Sequence, residues 1–138
     1  MRKLSALAVT LVAVLAVGGI AADAAQKREK VKSKVTLRFD QGAGGGSYYE
    51  EAAFRGTVTT RGKASKRAKK ACRKRRTVVI TQLGAGRFGQ AKTDARGRFV
   101  LPASDAYNAP GRYTATARKQ RKGRIVCRKA TSKPVEAF

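Results

Sequence analysis

Apolar and polar residues alternate in short runs along this chain from residue 35 onward. Val35, Leu37 and Phe39, for example, are separated by single polar residues, as in a strand with one buried face. The runs are rich in β-branched residues, and segments containing Gly, Pro or Asp separate them. Because no helical period is sustained, residues 35–138 are predicted to form an all-β, two-layer antiparallel sandwich. Its seven or eight strands are predicted at residues 35–40, 54–60, 76–83, 87–93, 98–101, 112–118, 124–128 and 135–138.

A glycine motif lies between two of these predicted strands. Residues 84–89 read G-x-G-x-x-G, but a dinucleotide site requires a helix there whose first amides hold the pyrophosphate. The residues that follow alternate as a strand does, and they reach a turn that starts at Asp94 and closes at Gly97. The motif therefore predicts a hairpin turn, and no cofactor is expected.

The longest apolar stretch stands at the N-terminus. Arg2 and Lys3 precede it, nineteen residues from position 4 to 22 carry no charge, and Ala22-Asp23-Ala24 matches a signal-peptidase site. Residues 1–24 are therefore predicted to be a Sec-type signal peptide. The mature protein is predicted to be secreted, extracellular or in the cell envelope, without a membrane span. An uncleaved anchor is the alternative, since nineteen uncharged residues could just cross a bilayer.

The charge of the mature chain narrows the choice of partners. The whole sequence has 32 basic and 8 acidic residues; without residues 1–24 it keeps 30 and 7, a net charge of +23. Such an excess attracts polyanions, which outside a cell are wall and capsule polymers, anionic lipid headgroups and free nucleic acid. The alternative is that the charge serves solubility only.

Basic residues are concentrated in two segments. Residues 25–34 are polar and basic with no apolar period, which predicts a flexible arm. Residues 61–76 contain ten Lys or Arg among sixteen residues and no acidic residue. We predict a long mobile loop there, fixed at Cys72. We hypothesise that its cations bind polyanions: Arg61, Lys63, Lys66, Arg67, Lys69, Lys70, Arg73, Lys74, Arg75 and Arg76.

A helix is the alternative for the same tract. Ala64, Ala68 and Cys72 have i, i+4 spacing and could line one helix face. Like charges at that spacing oppose an isolated helix, which favours the loop. Residues 61–76 contain no aromatic side chain on which a base could stack, so sequence-specific recognition of nucleic acid is not expected.

The chain has two cysteines, Cys72 and Cys127. A single pair in an exported protein is most simply one disulfide. Closing a loop of that length would stabilise the fold by about 4 kcal/mol through the entropy of the unfolded chain. Because Cys72 directly precedes one predicted strand and Cys127 lies in another, the bond is predicted to join two strands or sheet edges.

Several short motifs together resemble secreted bacterial carboxypeptidase regulatory-like, transthyretin-like domains. The resemblance covers roughly residues 54–135, and its most specific element is the T-D-x-x-G-x-F turn. It implies a seven-strand sandwich of the immunoglobulin or transthyretin type without catalytic residues. The motifs are Phe54-x-Gly56-x-Val58, Cys72-x-x-x-Arg76-x-Val78-x-Ile80, Thr93-Asp94-x-x-Gly97-x-Phe99-x-Leu101, Gly111-x-Tyr113 and Cys127-x-x-Ala130-x-Ser132.

The residues that catalysis needs are scarce in this sequence. It contains no His, and its one adjacent carboxylate pair, Glu50 and Glu51, would point apart on an extended segment. No metal-ligand cluster and no enzyme activity are expected. We predict an exported non-catalytic module that associates with anionic envelope polymers through residues 61–76. The alternative is a structural or accessory secreted domain that binds a protein partner; ligand identity and oligomeric state are left open.

Overall fold

The structure is a computed structural model that describes residues 27–41, 52–103 and 110–137. The predicted signal peptide lies outside these residues. In chain order the described elements are β1 (Glu29–Asp40), β2 (Ala53–Arg61), α1 (Lys66–Arg73), β3 (Thr77–Gln82), β4 (Gly86–Lys92), β5 (Arg98–Pro102), β6 (Gly111–Ala117), β7 (Gln120–Lys122), β8 (Ile125–Cys127), β9 (Ala130–Thr131) and β10 (Val135–Ala137).

The strands form two sheets. The first has the order β5-β2-β1-β8-β7; the second has the order β10-β6-β3-β4, with β9 also paired to β6. Alternate residues of each sheet face the other, so that Val35, Phe54 and Phe99 of the first sheet share one core with Ile80 and Tyr113 of the second. The predicted all-β sandwich is confirmed.

Aromatic rings fill the centre of this core. The Phe54 ring centroid lies 4.8 Å from that of Tyr113, 5.1 Å from that of Phe39 and 5.4 Å from that of Phe88. Tilted and edge-on contacts at these distances stabilise a core beyond the burial of their area. Tyr113 is fully buried in this core.

Two strand predictions need correction. The described residues contain ten strands where seven or eight were expected for the domain, because β7 and β9 are too short to show an alternation. The first sheet is also not wholly antiparallel: residues 29–31 of β1 pair in parallel with Ile125–Cys127 of β8.

The prediction of a flexible arm at residues 25–34 is wrong from Glu29 onward. β1 begins there, six residues before the predicted start, and Val31 is fully buried. No local pattern indicates this strand, because Val31 is the only apolar residue between Lys27 and Lys34. Its partner strand, β8, lies almost a hundred residues away in the chain.

The prediction of a mobile loop at residues 61–76 is also wrong. Lys66–Arg73 form the helix α1, whose buried residues are Ala68 and Cys72. The i, i+4 spacing was the correct signal, and tertiary contacts overcome the repulsion between its like charges. Within the described ranges no helix is long or apolar enough to cross a membrane.

Both turn predictions are confirmed. Residues 83–85 connect β3 to β4 as a hairpin, so the glycine motif precedes a strand and not a helix. In the next turn the Asp94 carboxylate accepts the amide protons of Arg96 and Arg98, and Gly97 adopts a φ of 83°. A side chain at Gly97 would be strained at this φ, and its Cβ would clash with the Val58 carbonyl oxygen.

Candidate polyanion-binding surface

The helix α1 packs on the sandwich through small side chains. Ala68 and Cys72 contact Val31 of β1 and Cys127 of β8, and together these four residues form a second, smaller apolar cluster. All four are fully buried. Because Ala68 and Cys72 lie on the inner side of the helix, Lys70, which stands between them in the sequence, faces away from the protein.

The N-terminus of α1 is capped by two residues. The Ser65 hydroxyl accepts the amide proton of Ala68 at 3.2 Å, the usual contact of an N-cap residue. The Glu29 carboxylate in turn accepts hydrogen bonds from the amide and the hydroxyl of Ser65. A carboxylate beside the first turn also interacts favourably with the partial positive charge of the helix N-terminus. This interaction partly offsets the unfavourable effect of the positive charges of Lys66 and Arg67 in the same turn.

The C-terminus of α1 is satisfied by three side chains from elsewhere in the chain. The Lys122 ammonium donates to the carbonyls of Ala71 and Lys74, both at 2.6 Å. Arg76 donates to the Cys72 carbonyl and Thr93 to the Arg73 carbonyl. These are the carbonyls that a helix leaves without partners at its end, and two of the three donors carry the positive charge that this end favours.

Lys122 lies in a positively charged environment. Its burial, and then the charges of Arg76, Lys74 and Arg75, lower the pKa of its ammonium group below the usual value. Its two hydrogen bonds to the carbonyls of Ala71 and Lys74 counteract this cost, because carbonyl oxygens stabilise the charged ammonium more than the neutral amine. Lys122 therefore supports α1 from beneath and is only partly accessible to a ligand.

Arg76 does not belong to the candidate site, which corrects its assignment as a polyanion-binding residue. Its side chain is fully buried, and burial lowers the pKa of its guanidinium. Its Nη1 donates to Ser33 Oγ and the Cys72 carbonyl, both at 3.0 Å, and its Nη2 donates to the carbonyls of Arg118 at 2.8 Å and Arg128 at 2.9 Å. Arg76 thus joins β1, α1 and the segments that follow β6 and β8.

The disulfide is confirmed, but it does not join two strands. Cys72 lies in the last turn of α1 and Cys127 at the end of β8, with Cα atoms 5.4 Å apart. The bond therefore fixes the helix to the first sheet. Together with the contacts at both helix ends, it makes an eight-residue helix stable that would be marginal alone in water.

Four cations of α1 and its C-cap form what we call the basic face: Lys66, Arg67, Lys70 and Lys74. All four are exposed, and Lys66, Lys70 and Lys74 follow one another at i, i+4 spacing. Neighbours at this spacing stand about 5–6 Å apart at Cβ, so they repel one another and favour an anion between them. The three ion pairs found within the described residues all involve Asp40 or Asp94, and none includes a residue of the basic face.

The other predicted cations are either half-buried or lie outside α1 and its C-cap. Lys69 and Arg73 are half-buried on α1, while Arg61 ends β2 and Lys63 lies between the two elements. Arg75 is exposed and adopts a positive φ of 52°, a conformation that turns the chain from α1 into β3. The structure thus assembles a narrower surface than the ten residues predicted.

Residues that support the surface were missed by the sequence analysis. Glu29, Lys122 and Thr93 hold the two ends of α1, yet they lie 36, 51 and 20 residues from their partners in the chain. No local pattern links such distant residues. The one available signal was the Ser65 N-cap position, three residues before Ala68.

The remaining chemistry of the described residues is sparse. Those residues include no group of three or more side chains suited to hold a metal ion. Comparison of the chain with protein-family models, with curated proteins and with solved structures found no match. The resemblance to carboxypeptidase regulatory-like domains therefore stays a prediction.

Proposed function

We propose that the protein is an exported, non-catalytic β-sandwich module that associates with anionic polymers of the cell envelope through the basic face. The observation that carries this proposal is the display of four exposed cations on one fixed helix and its C-cap, without an ion-pair partner among the described residues. A polymer that places anions between these cations relieves their mutual repulsion.

The rigidity of α1 favours binding of this kind. A mobile basic loop would have to lose conformational entropy when it binds, whereas a helix fixed at both ends and by a disulfide is already ordered. The cations of the basic face also lie on one surface of the protein, so a linear polymer can contact several of them at once.

The residues of the basic face are suited to bind a polymer with regularly spaced anionic groups, and not to recognise a nucleic-acid sequence. Three of its four residues are lysines, which act as compact point charges and not as planar forks. No aromatic side chain occurs in residues 61–76. Wall and capsule polymers with repeated anionic groups are the partners that fit both this surface and a signal peptide at residues 1–24.

Binding of inorganic polyphosphate at a series of salt concentrations tests the proposal. The triple variant Lys66→Gln, Arg67→Gln, Lys70→Gln should reduce the slope of log K against log salt by about 2–3, because each contacting cation contributes nearly one unit. Retention on isolated cell walls should fall in parallel.

The matched control removes three exposed cations from the second sheet and its flank, Arg87, Arg112 and Lys133, in each case by substitution with Gln. An equal loss of polyphosphate affinity in both variants would mean that net charge alone attracts polyanions and that the basic face has no special role. If neither variant loses affinity, the polyanion proposal is wrong, and a secreted domain with a protein partner becomes the better explanation.

A further inference from the structure

A cleft of about 760 Å³ lies on the outer face of the first sheet, away from the sandwich core. We call it the sheet cleft; strands β1, β2 and β5 form its floor, and residues 92–94 form one side. Its size is within the range of small-molecule sites. Val31, which packs against α1, and Thr36, which lines the cleft, point to opposite sides of β1, and Thr93 at the side of the cleft contacts the C-terminus of α1.

The strand register places the polar side chains of the cleft in two rows. Thr36 lies opposite Thr57, and Thr57 lies opposite Arg98 on the next strand. Arg38, Arg55 and Val100 form the second row in the same way. Neighbouring strands are about 4.8 Å apart, so the three arginines lie within reach of one small ligand.

All three arginines are positioned by carboxylates that contact only one edge of the guanidinium. Nε of Arg55 lies 3.0 Å, and that of Arg38 3.5 Å, from the Asp40 carboxylate. Nε of Arg98 lies 3.0 Å from the Asp94 carboxylate. No hydrogen bond of their Nη groups is found among the described residues, so those groups are available to bind an oxyanion in the two-pronged geometry that arginine prefers.

The carboxylate of Asp94 stays ionised in this arrangement. The amide protons of Arg98 and Arg96 and the Arg98 guanidinium lower the pKa of Asp94 below its ordinary value, in spite of the opposing effect of desolvation. With Lys92 as a fourth cation, the cations of the cleft exceed Asp40 and Asp94 by two charges. The cleft is therefore polar and preorganised, and it retains a positive excess for a ligand.

Two hydroxyl groups lie between the arginines. Thr36 Oγ1 and Thr57 Oγ1 are 2.7 Å apart, and the Thr57 amide also donates to Thr36 Oγ1 at 3.2 Å. The two hydroxyls share one proton, which leaves a second proton and free lone pairs for a ligand. Beside them, Val100 is 45% exposed and offers an apolar surface on the same face.

We propose that the sheet cleft binds an acidic oligosaccharide, in which carboxylate or sulfate groups are carried on a chain of hydroxyl-bearing sugars. Oxyanions would pair with the Nη groups, sugar hydroxyls with the threonines, and an apolar sugar face with Val100. A nucleic acid fits less well, because the one aromatic residue that lines the cleft, Phe99, is 2% exposed and offers no ring for base stacking. The proposal does not depend on the basic face, since it involves other residues on the other side of β1.

Titration with a galacturonate oligomer and with a heparin-derived oligosaccharide tests the site and identifies which oxyanion it prefers. The double variant Arg55→Lys, Arg98→Lys keeps every charge but removes two planar forks, and it should bind about tenfold more weakly. Thr57→Val leaves all ion pairs intact and should weaken binding severalfold. The matched control Arg87→Lys, Arg112→Lys on the second sheet should bind as the parent protein does.

Four outcomes would overturn the proposal: undiminished binding to the folded lysine variant, equal binding of a neutral oligomer of the same length, absence of binding to either acidic oligomer, or loss of oligosaccharide binding in the Lys66, Arg67, Lys70 variant. The last variant also separates the two sites. If its salt slope for polyphosphate falls while oligosaccharide binding is retained, both sites are supported. If the slope and the oligosaccharide binding are both unchanged, the basic face alone is contradicted.

Discussion

The two apolar clusters of this protein differ in what stabilises them. The sandwich core brings large side chains such as Phe54, Ile80 and Tyr113 together from two sheets. The cluster beneath α1 consists of one valine, one alanine and two cysteines. So little apolar area stabilises the helix weakly, and the disulfide, Arg76 and the capping residues supply the rest.

This difference shows that one small domain can combine two sources of order. Burial of apolar surface is non-directional and tolerates changes in its members, whereas a disulfide or a buried arginine depends on the position of each atom. The basic face stands on α1, the part of the domain with the specific contacts. The predictions below test whether these contacts act on α1 separately from the sandwich.

Loss of the disulfide should have the largest effect on α1. The double variant Cys72→Ser, Cys127→Ser should lower the free energy of unfolding by about 4 kcal/mol, the loop-closure value for a separation of 55 residues. Denaturant unfolding under non-reducing conditions measures the loss. Hydrogen exchange should show that the amides of residues 66–74 lose protection before those of β2 and β3.

The control for this prediction is a cavity in the sandwich core. Phe54→Ala removes the central ring of the aromatic group and should cost about 3–5 kcal/mol. In this variant amide hydrogen exchange should accelerate in the strands and in α1 alike, because the helix has no support once the sandwich unfolds. If both variants give the same exchange pattern, the helix and the sandwich are a single cooperative unit and the comparison fails.

Replacement of Arg76 should have the next largest effect. Arg76→Met keeps a buried side chain of similar length but leaves one hydroxyl and three carbonyls without their donor, at a cost of about 3 kcal/mol. Denaturant unfolding measures it. A loss below about 1 kcal/mol would show that water or a nearby lysine replaces the guanidinium and that Arg76 does not hold α1 to the strands.

The smallest effect is expected at the helix N-cap. Ser65→Ala removes the hydroxyl that accepts the Ala68 amide proton and should cost about 1 kcal/mol. Ser65→Thr keeps the acceptor and should cost much less. Exchange of the amides in the first turn of α1 distinguishes the two variants; equal protection in both would mean that the Glu29 carboxylate alone holds this end.

Much of the sandwich could be predicted from the sequence, because its information is local. The alternation of Val35, Leu37 and Phe39 identifies a strand and its inner face, and Asp94 and Gly97 identify a turn. The two shortest strands, β7 and β9, were missed since two or three residues carry no period. The beginning of β1 was missed because its pairing with β8 depends on a remote segment.

The candidate site was predictable only in part. The sequence identified the basic tract and the cysteine pair, but it could not separate the exposed Lys70 from the buried Arg76, six residues apart. Both residues carry a positive charge within the same basic tract, so the sequence alone does not distinguish them. Their difference comes from the direction in which each side chain leaves the backbone: Lys70 lies on the outer side of α1, whereas Arg76 follows the turn at Arg75 and points into the interior.

The sequence by itself determined the fold class, the turns, the disulfide partners and the positive charge, since each follows from composition or from neighbours along the chain. Only the tertiary structure decided that residues 66–73 form a helix, that Arg76 serves the interior, and that Arg38, Arg55 and Arg98 meet in one cleft. These features depend on contacts between residues far apart in the chain. Their energies exceed the local preferences that the sequence displays.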